Sequence, residues 1–267
     1  MLAALLAVLS LSAQAAVVPL PRAYSHNDYR QKRPLDDALD RGFCAVEADV
    51  HLRGKELFIG HMGGDIKPGV TLRKLYLDPL LKRVRANGGQ VYRNGPTFIL
   101  MVEFKSNGEE SWPVLKEQLA PYAEMLTKFT PTATEYGAVT VVITGHTPDK
   151  LVRAEAHRIA GLDGGFGDRN SDEPTLYPVI SDNWAARFEW RGGRMSAEER
   201  SRLERAVSDA HGHARLLRFW GIPDREETWA LLRDAGVDLI NTDHLERLKT
   251  FLLAQAPRAE PAPPQAP

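Results

Sequence analysis

Short apolar, β-branched runs alternate with helix-patterned segments along most of this chain, and that alternation limits the fold more than any other feature. The runs are CAVEADVHL, ELFIGH, TFILMVEF, GAVTVVITG, YPVIS, RLLRFWG and VDLINTD. Amphipathic helical patterns fall at 35–41, 72–86, 111–129, 148–160, 197–211, 226–235 and 245–254. Strand followed by helix, repeated about eight times, predicts parallel βαβ units. The fold class expected is α/β, and a single-domain (β/α)8 TIM barrel suits the count best, because such barrels run to about 250 residues as one unit. An open doubly wound sheet has the same alternation. The two differ in where polar side chains gather, since a barrel collects them at the C-terminal ends of several strands.

The chain's ends read differently from its body. Residues 1–16 begin MLAALLAVLSLSAQA, an apolar run too short for a comfortable membrane span that ends in the small-x-small pattern Ala13-Gln14-Ala15. That predicts a signal peptide and an exported protein, periplasmic or secreted, with no stable membrane span in the mature chain. Residues 256–267, APRAEPAPPQAP, are rich in Pro and Ala without apolar periodicity and are expected to be disordered, which leaves 17–255 as the barrel domain. The 34 basic residues nearly cancel the 35 acidic ones, so nothing marks a nucleic-acid or anionic-membrane partner. Cys44 is the only cysteine, which excludes an intrachain disulfide and a thiolate metal cage; it is expected to be a small buried hydrophobe. The glycine-rich GLDGGFGDRN leads to no helix and reads as a flexible loop rather than a phosphate cradle.

Carboxylates interrupt two of the strands near their ends. In CAVEADVHL, period-two alternation puts Glu47 and Asp49 on one face about 7 Å apart. Inside a barrel two such acids repel and lose solvation unless a cation or donors compensate. In TFILMVEFKS, Glu103 and Lys105 break an otherwise apolar strand and share a face. Three carboxylates without cysteine make an all-oxygen set that suits one divalent cation, Mg²⁺ or Ca²⁺, better than zinc. His26 follows the first strand in AYSHNDYR, and His61 follows ELFIG, which the turn Arg53–Lys55 joins to the Glu47 strand as a hairpin. Two histidines beside a carboxylate cluster supply the base and the acid that phosphodiester cleavage requires. His146 and Asp243 are expected to serve helix starts, Asp243 as an N-cap, while Asp182 and Trp184 in ISDNWAARFEW could overhang the barrel mouth.

These residues resemble a family. AYSHNDY, then RPLDDALDRGFCAVEADVHLRGKELFIGH, FILMVEFKS and LLRFWGIPDREETWALLRDAGVDLINTD are similar to the glycerophosphodiester phosphodiesterase and phospholipase-C-like TIM-barrel superfamily. The SHNDY opening is closest to its branch named after altered inheritance of mitochondria protein 6. The resemblance implies His26 and His61 as the acid/base pair and Glu47, Asp49 and Glu103 as ligands of a divalent cation. It implies Lys105 near the phosphate and Trp220 as an aromatic presented to the substrate. Two departures stand out. Asn27 and Asp28 follow His26 where relatives with glycerophosphodiesterase activity usually keep Arg and Gly, so Asn27 is the residue left to hydrogen-bond a phosphate oxygen. The stretch from His61 to Glu103 is also too short for the small inserted domain that many of them carry.

The function expected is that of a metal-dependent phosphoric diester hydrolase acting on a small or lipid-derived phosphodiester, of glycerophosphodiester or lysophospholipid type. The alternatives are a non-catalytic periplasmic barrel that binds a phosphorylated ligand, and a metal-dependent hydrolase of sugar or ester bonds, because fold does not fix chemistry.

Overall fold

Strands buried on both faces need apolar side chains in and out, and the runs that lack alternation form the wall of the molecule. The computed structural model describes residues 17–173 and 175–254. The expected signal peptide and Pro/Ala-rich tail lie outside the described residues. In chain order the elements are β1 (Leu20–Ser25), α1 (Asp36–Leu39), β2 (Phe43–Arg53), β3 (Glu56–Ile59), a π-helical stretch (Arg73–Leu77) leading into α2 (Asp78–Ala86), β4 (Phe98–Phe104) and α3 (Gly108–Leu119). There follow β5 (Lys128–Phe129), β6 (Thr134–Glu135), β7 (Val139–Gly145), α4 (Asp149–Arg153), β8 (Gly161–Gly164), β9 (Val179–Asn183) and α5 (Trp184–Arg187). The last are α6 (Ala197–Gly212), β10 (Leu216–Trp220), α7 (Glu226–Ala235), β11 (Ile240–Thr242) and α8 (Leu245–Ala254).

Eight of these strands run parallel in the order β10-β9-β8-β7-β4-β2-β1-β11. A parallel bridge between Arg218 and Leu239 joins the two ends, supported by the Asp238 and Leu239 amides, which both donate to Leu217 O at 3.1 Å. The expected (β/α)8 barrel is therefore the fold. β3 lies outside the ring as an antiparallel hairpin partner of β2, with Val50 opposite Ile59. Tyr24, Ala45, Ile99, Met101, Val142, Val179 and Leu239 fill the barrel's interior as an apolar floor. Each large aliphatic side chain buried this way contributes about 1.5–3 kcal/mol. The opposite faces of the same strands pack under the helices through residues such as Val46, Leu100, Leu80, Trp112, Leu203 and Leu248.

Several local expectations are corrected. The glycine-rich segment is not a flexible loop at its start, because Gly161–Gly164 is barrel strand β8. Its glycines serve close approach: a Cβ on Gly161 would lie 2.5 Å from the Pro178 ring, and one on Gly164 would lie 2.8 Å from Ile180. The helix expected at 111–129 ends at Leu119 and passes into a 3₁₀ turn at Ala120–Tyr122, because Pro121 cannot continue it. The helix expected at 148–160 is only Asp149–Arg153. Trp184 does not overhang the mouth. It is fully buried, stacked on Phe188 at 4.2 Å and edge-on to Phe219 at 5.3 Å, while Asp182 is tied to Arg187 at 2.7 Å. Cys44 is buried as expected, and burial pushes its thiol up to about 12.

The loops at the C-terminal ends of β4 and β7 touch at Gly108, where an added Cβ would fall 1.8 Å from His146 O. Gly108→Ala is therefore expected to push two backbones apart and cost about 1–3 kcal/mol. A thermal melt of the variant measures the loss.

Candidate functional site

The C-terminal ends of β1, β2 and β4 bring the sequence-predicted residues together. Register places Asp49 beside Glu103, with both side chains on the inner face above Ala45, Ile99 and Met101. Glu47 is 4 % exposed and Asp49 is fully buried. One carboxylate oxygen from each of Glu47, Asp49 and Glu103 lies within 4.8 Å of the others. Burial pushes the Glu47 carboxyl above its ordinary value, against the pull of Arg218 and His26. Burial also pushes Glu103 upward, but Lys105 outweighs it and holds that carboxyl below the usual range.

Asp49 shows how the cluster is wired. Its Oδ2 accepts from the Tyr29 hydroxyl at 2.8 Å, faces His61 Nδ1 at 2.8 Å and pairs with Lys105 Nζ at 3.1 Å. Its Oδ1 is buried without a hydrogen-bond partner among the described residues. Lys105 also donates to Glu103 at 2.6 Å. Around this point four carboxylates (Glu47, Asp49, Glu103 and Asp163) face two cationic side chains (Lys105 and Arg218), which leaves two negative charges when all four are ionised. The all-oxygen donor set, the orphaned Asp49 oxygen and that residual charge fit a hard divalent cation.

The histidines flank the cluster, and each has one ring nitrogen committed. His61 is delivered by the β2–β3 hairpin, whose return is fixed by the Gly60 amide donating to Asp49 O at 3.1 Å. Its Nδ1 faces Asp49, while the His51 ring sits 3.2 Å from its carbonyl oxygen. His26 continues β1, its amide donating to Thr242 O at 3.1 Å. Its Nδ1 lies 2.9 Å from Asp243 Oδ1, and its Nε2 lies 3.9 Å from Glu47 Oε2. Asp243, expected as an N-cap, is thus the partner of His26, and Thr242 Oγ1 accepts the His244 amide instead. With Nδ1–H given to a carboxylate, the His61 ring keeps Nε2 for a substrate, while His26 Nε2 lies 3.2 Å from the Asn27 amide nitrogen, whose place a substrate oxygen would take. The side chains of His26 and His61 are 36 % and 40 % exposed, so both remain reachable.

Asn27 holds a left-handed backbone at φ 47°, which asparagine tolerates. Its side-chain nitrogen lies 3.0 and 3.2 Å from the two His26 ring nitrogens, and its oxygen lies 2.6 Å from the Tyr29 hydroxyl, whose one proton it shares with Asp49 Oδ2. Asp28 is fully buried, accepting from Ser25 Oγ at 2.7 Å, Leu35 N at 2.6 Å and Tyr76 at 3.0 Å. The SHNDY stretch is therefore a built lip anchored by Asp28. Trp220 stands at the end of β10 on the rim, 45 % exposed. An open cleft of about 470 Å³ continues from Lys105 past Asn107, Glu109, His146 and Thr147.

Sequence reasoning misses Tyr24, Tyr29, Asp163 and Arg218, and it takes Asp243 only for a helix cap. Arg218 is the largest omission: 4 % exposed inside the barrel, it lies 3.5 Å from Glu47 Oε2 and 4.4 Å from the Tyr24 ring centroid. The signal was present in RLLRFWG, where an arginine interrupts a strand that is otherwise apolar. Asp163 accepts from Thr144 Oγ1 at 3.0 Å, and burial pushes its carboxyl up to about 6.

The chain is 30% identical to altered inheritance of mitochondria protein 6 of Eremothecium gossypii, over 87% of this chain and 69% of that protein. It is 28% identical to the altered inheritance of mitochondria protein 6 homolog of Arthroderma benhamiae, over 88% of this chain and 84% of that protein. A crystal structure of glycerophosphodiester phosphodiesterase from Agrobacterium tumefaciens aligns over 87% of this chain and 99% of its own, with a TM-score of 0.49 and 12% identity. Residues 217–246 match the glycerophosphoryl diester phosphodiesterase family. The AIM6-like phosphodiesterase domain matches residues 11–163, more than half of the chain and the whole segment from His26 through Lys105. The chain belongs to that family of AIM6-like phosphodiesterase domains.

Proposed function

We propose that this protein hydrolyses a P–O bond of a small or lipid-derived phosphodiester at the barrel mouth, using one divalent cation, Mg²⁺ or Ca²⁺. The observation that carries the reading is the pair of carboxylate-backed histidines, Asp243–His26 and Asp49–His61, beside three converging carboxylates. Glu47, Asp49 and Glu103 would hold the cation, which supplies charge stabilisation at a non-bridging phosphate oxygen. One histidine takes the proton of the attacking oxygen at Nε2, and the other, protonated, returns a proton to the leaving alkoxide. The attacking oxygen is water, or a substrate hydroxyl next to the phosphate, in which case a cyclic phosphate forms first. Lys105 and the Asn27 amide would contact the phosphate, and the exposed ring of Trp220 would meet a substituent. The cleft past Lys105 gives the other substituent a polar path.

Glycerophosphocholine, glycerophosphoinositol, lysophosphatidylcholine and sphingomyelin, each with Mg²⁺, Ca²⁺ or a chelator, test this by ³¹P NMR. Turnover of at least one is expected, abolished by the chelator and restored by excess metal. No turnover, together with metal-dependent thermal stabilisation by the same phosphodiesters, would overturn the enzyme reading in favour of a binding barrel.

A further inference from the structure

The inner face of β10 changes from leucine to arginine immediately below the carboxylate cluster. Leu216 packs against the apolar floor, and Arg218, two residues on, occupies the same face in near-complete burial. Removing a guanidinium from water is costly unless its donors are met, whereas an apolar side chain would fill this level of the barrel without that penalty. The contacts of Arg218 show where its donors go. Nε donates to Asn241 Oδ1 at 2.9 Å, and the Asn241 amide nitrogen in turn donates to Phe219 O at 2.8 Å. The guanidinium carbon lies 4.4 Å from the Tyr24 ring centroid, and Nη2 reaches Glu47 Oε2 at 3.5 Å. The Tyr24 hydroxyl donates to that same Oε2 at 3.0 Å.

We infer that Tyr24, Arg218 and Asn241 form a buried clamp that positions Glu47 as a cation ligand, an inference that rests on the metal reading of this site. Tyr24 and Arg218 hold Oε2, and with it the carboxylate that Glu47 contributes to the point shared with Asp49 and Glu103. Asp49 follows the same plan, with one oxygen saturated by donors and the other without a partner. Arginine suits the task because its planar fork meets an amide, a ring face and a carboxylate at once, which an ammonium point charge does not. The clamp also spans the seam of the barrel: Arg218 lies on β10, Asn241 on β11 and Tyr24 on β1. Ion binding is thereby coupled to closure of the sheet. These are positioning residues, since they act on the ion through Glu47.

Isothermal titration of Mg²⁺ and of Ca²⁺ onto the purified full chain compares the parent with Tyr24→Phe, Arg218→Met and Arg218→Lys. Tyr24→Phe and Arg218→Met are each expected to weaken the ion about 10–100-fold, the usual cost of losing an outer partner of a metal ligand. Arg218→Lys is expected to recover part of that loss. The melting shift produced by saturating metal should shrink in the same order. Parental affinity in a folded Arg218→Met overturns the clamp; if that variant does not fold, parental affinity in Tyr24→Phe overturns it. A parent that binds neither ion removes the metal reading itself and the clamp with it, so the two failures are distinguishable.

Discussion

His61→Ala and His26→Ala are each expected to lower turnover of the preferred phosphodiester by about 10²–10⁴-fold, the range set by loss of a positioned general acid or base. Both rings are more than a third exposed, and their committed nitrogens face carboxylates that have other donors or solvent. Asp49 keeps Tyr29 and Lys105 when His61 is lost, and Asp243 is itself 57 % exposed when His26 is lost. Melting temperatures should therefore move little, which separates a chemical defect from a folding one. The double variant should fall only slightly below the worse single one, because residues that act as a pair lose their effect together. Steady-state rates on the same substrate with saturating metal measure this. Single variants that keep the parental rate would remove the two histidines from the mechanism.

Asp28→Ala is expected to be the most damaging single change to the lip. It leaves Ser25 Oγ, Leu35 N and the Tyr76 hydroxyl without their common acceptor in a site closed to water. Each unmet buried donor costs about 1–3 kcal/mol, so a loss of at least about 3 kcal/mol is expected in chemical denaturation. Asp28 also carries a pH signature. Burial pushes its carboxyl up to about 6 from an ordinary value of 3.8, outweighing the three donors. The folded chain then keeps a proton that the unfolded chain releases earlier. Its contribution to stability is full below pH 3.8 and declines as pH rises through about 6. Asp28→Asn has no such proton and should flatten the stability profile across that window. An unchanged profile would show that Asp28 is not the titrating group.

The parts of the site that were legible in the sequence follow from the strand period. Glu47, Asp49, Glu103 and Lys105 lie two residues apart at the ends of apolar runs, so their shared face could be read before any fold was known. The histidines were legible as strand-end polars, but their partners were not. Asp243 reaches His26 across 217 positions, and an aspartate before a helix looks the same whether it caps the helix or turns to a neighbouring strand. β8 was lost because four residues with two glycines carry too little apolar signal, although Gly161 and Gly164 are needed where Pro178 and Ile180 press close. An aromatic at a strand end is ambiguous, and Trp184, which the sequence allows over the mouth, turns inward. Its indole N–H found Trp190 O at 3.0 Å, which permits full burial.

The pairing of the first strand with the last governs when the site can exist. β1 binds β11 through Ala23–Ile240 and Ser25–Thr242, and the same junction delivers His26 to Asp243. During synthesis the early strands can pair among themselves while β1 keeps one unsatisfied edge, which only the final segment covers. A nascent or truncated chain ending before β11 therefore lacks both a closed sheet and an oriented His26, however complete its carboxylate cluster. Activity should appear only after the whole barrel has left the ribosome, late and all at once.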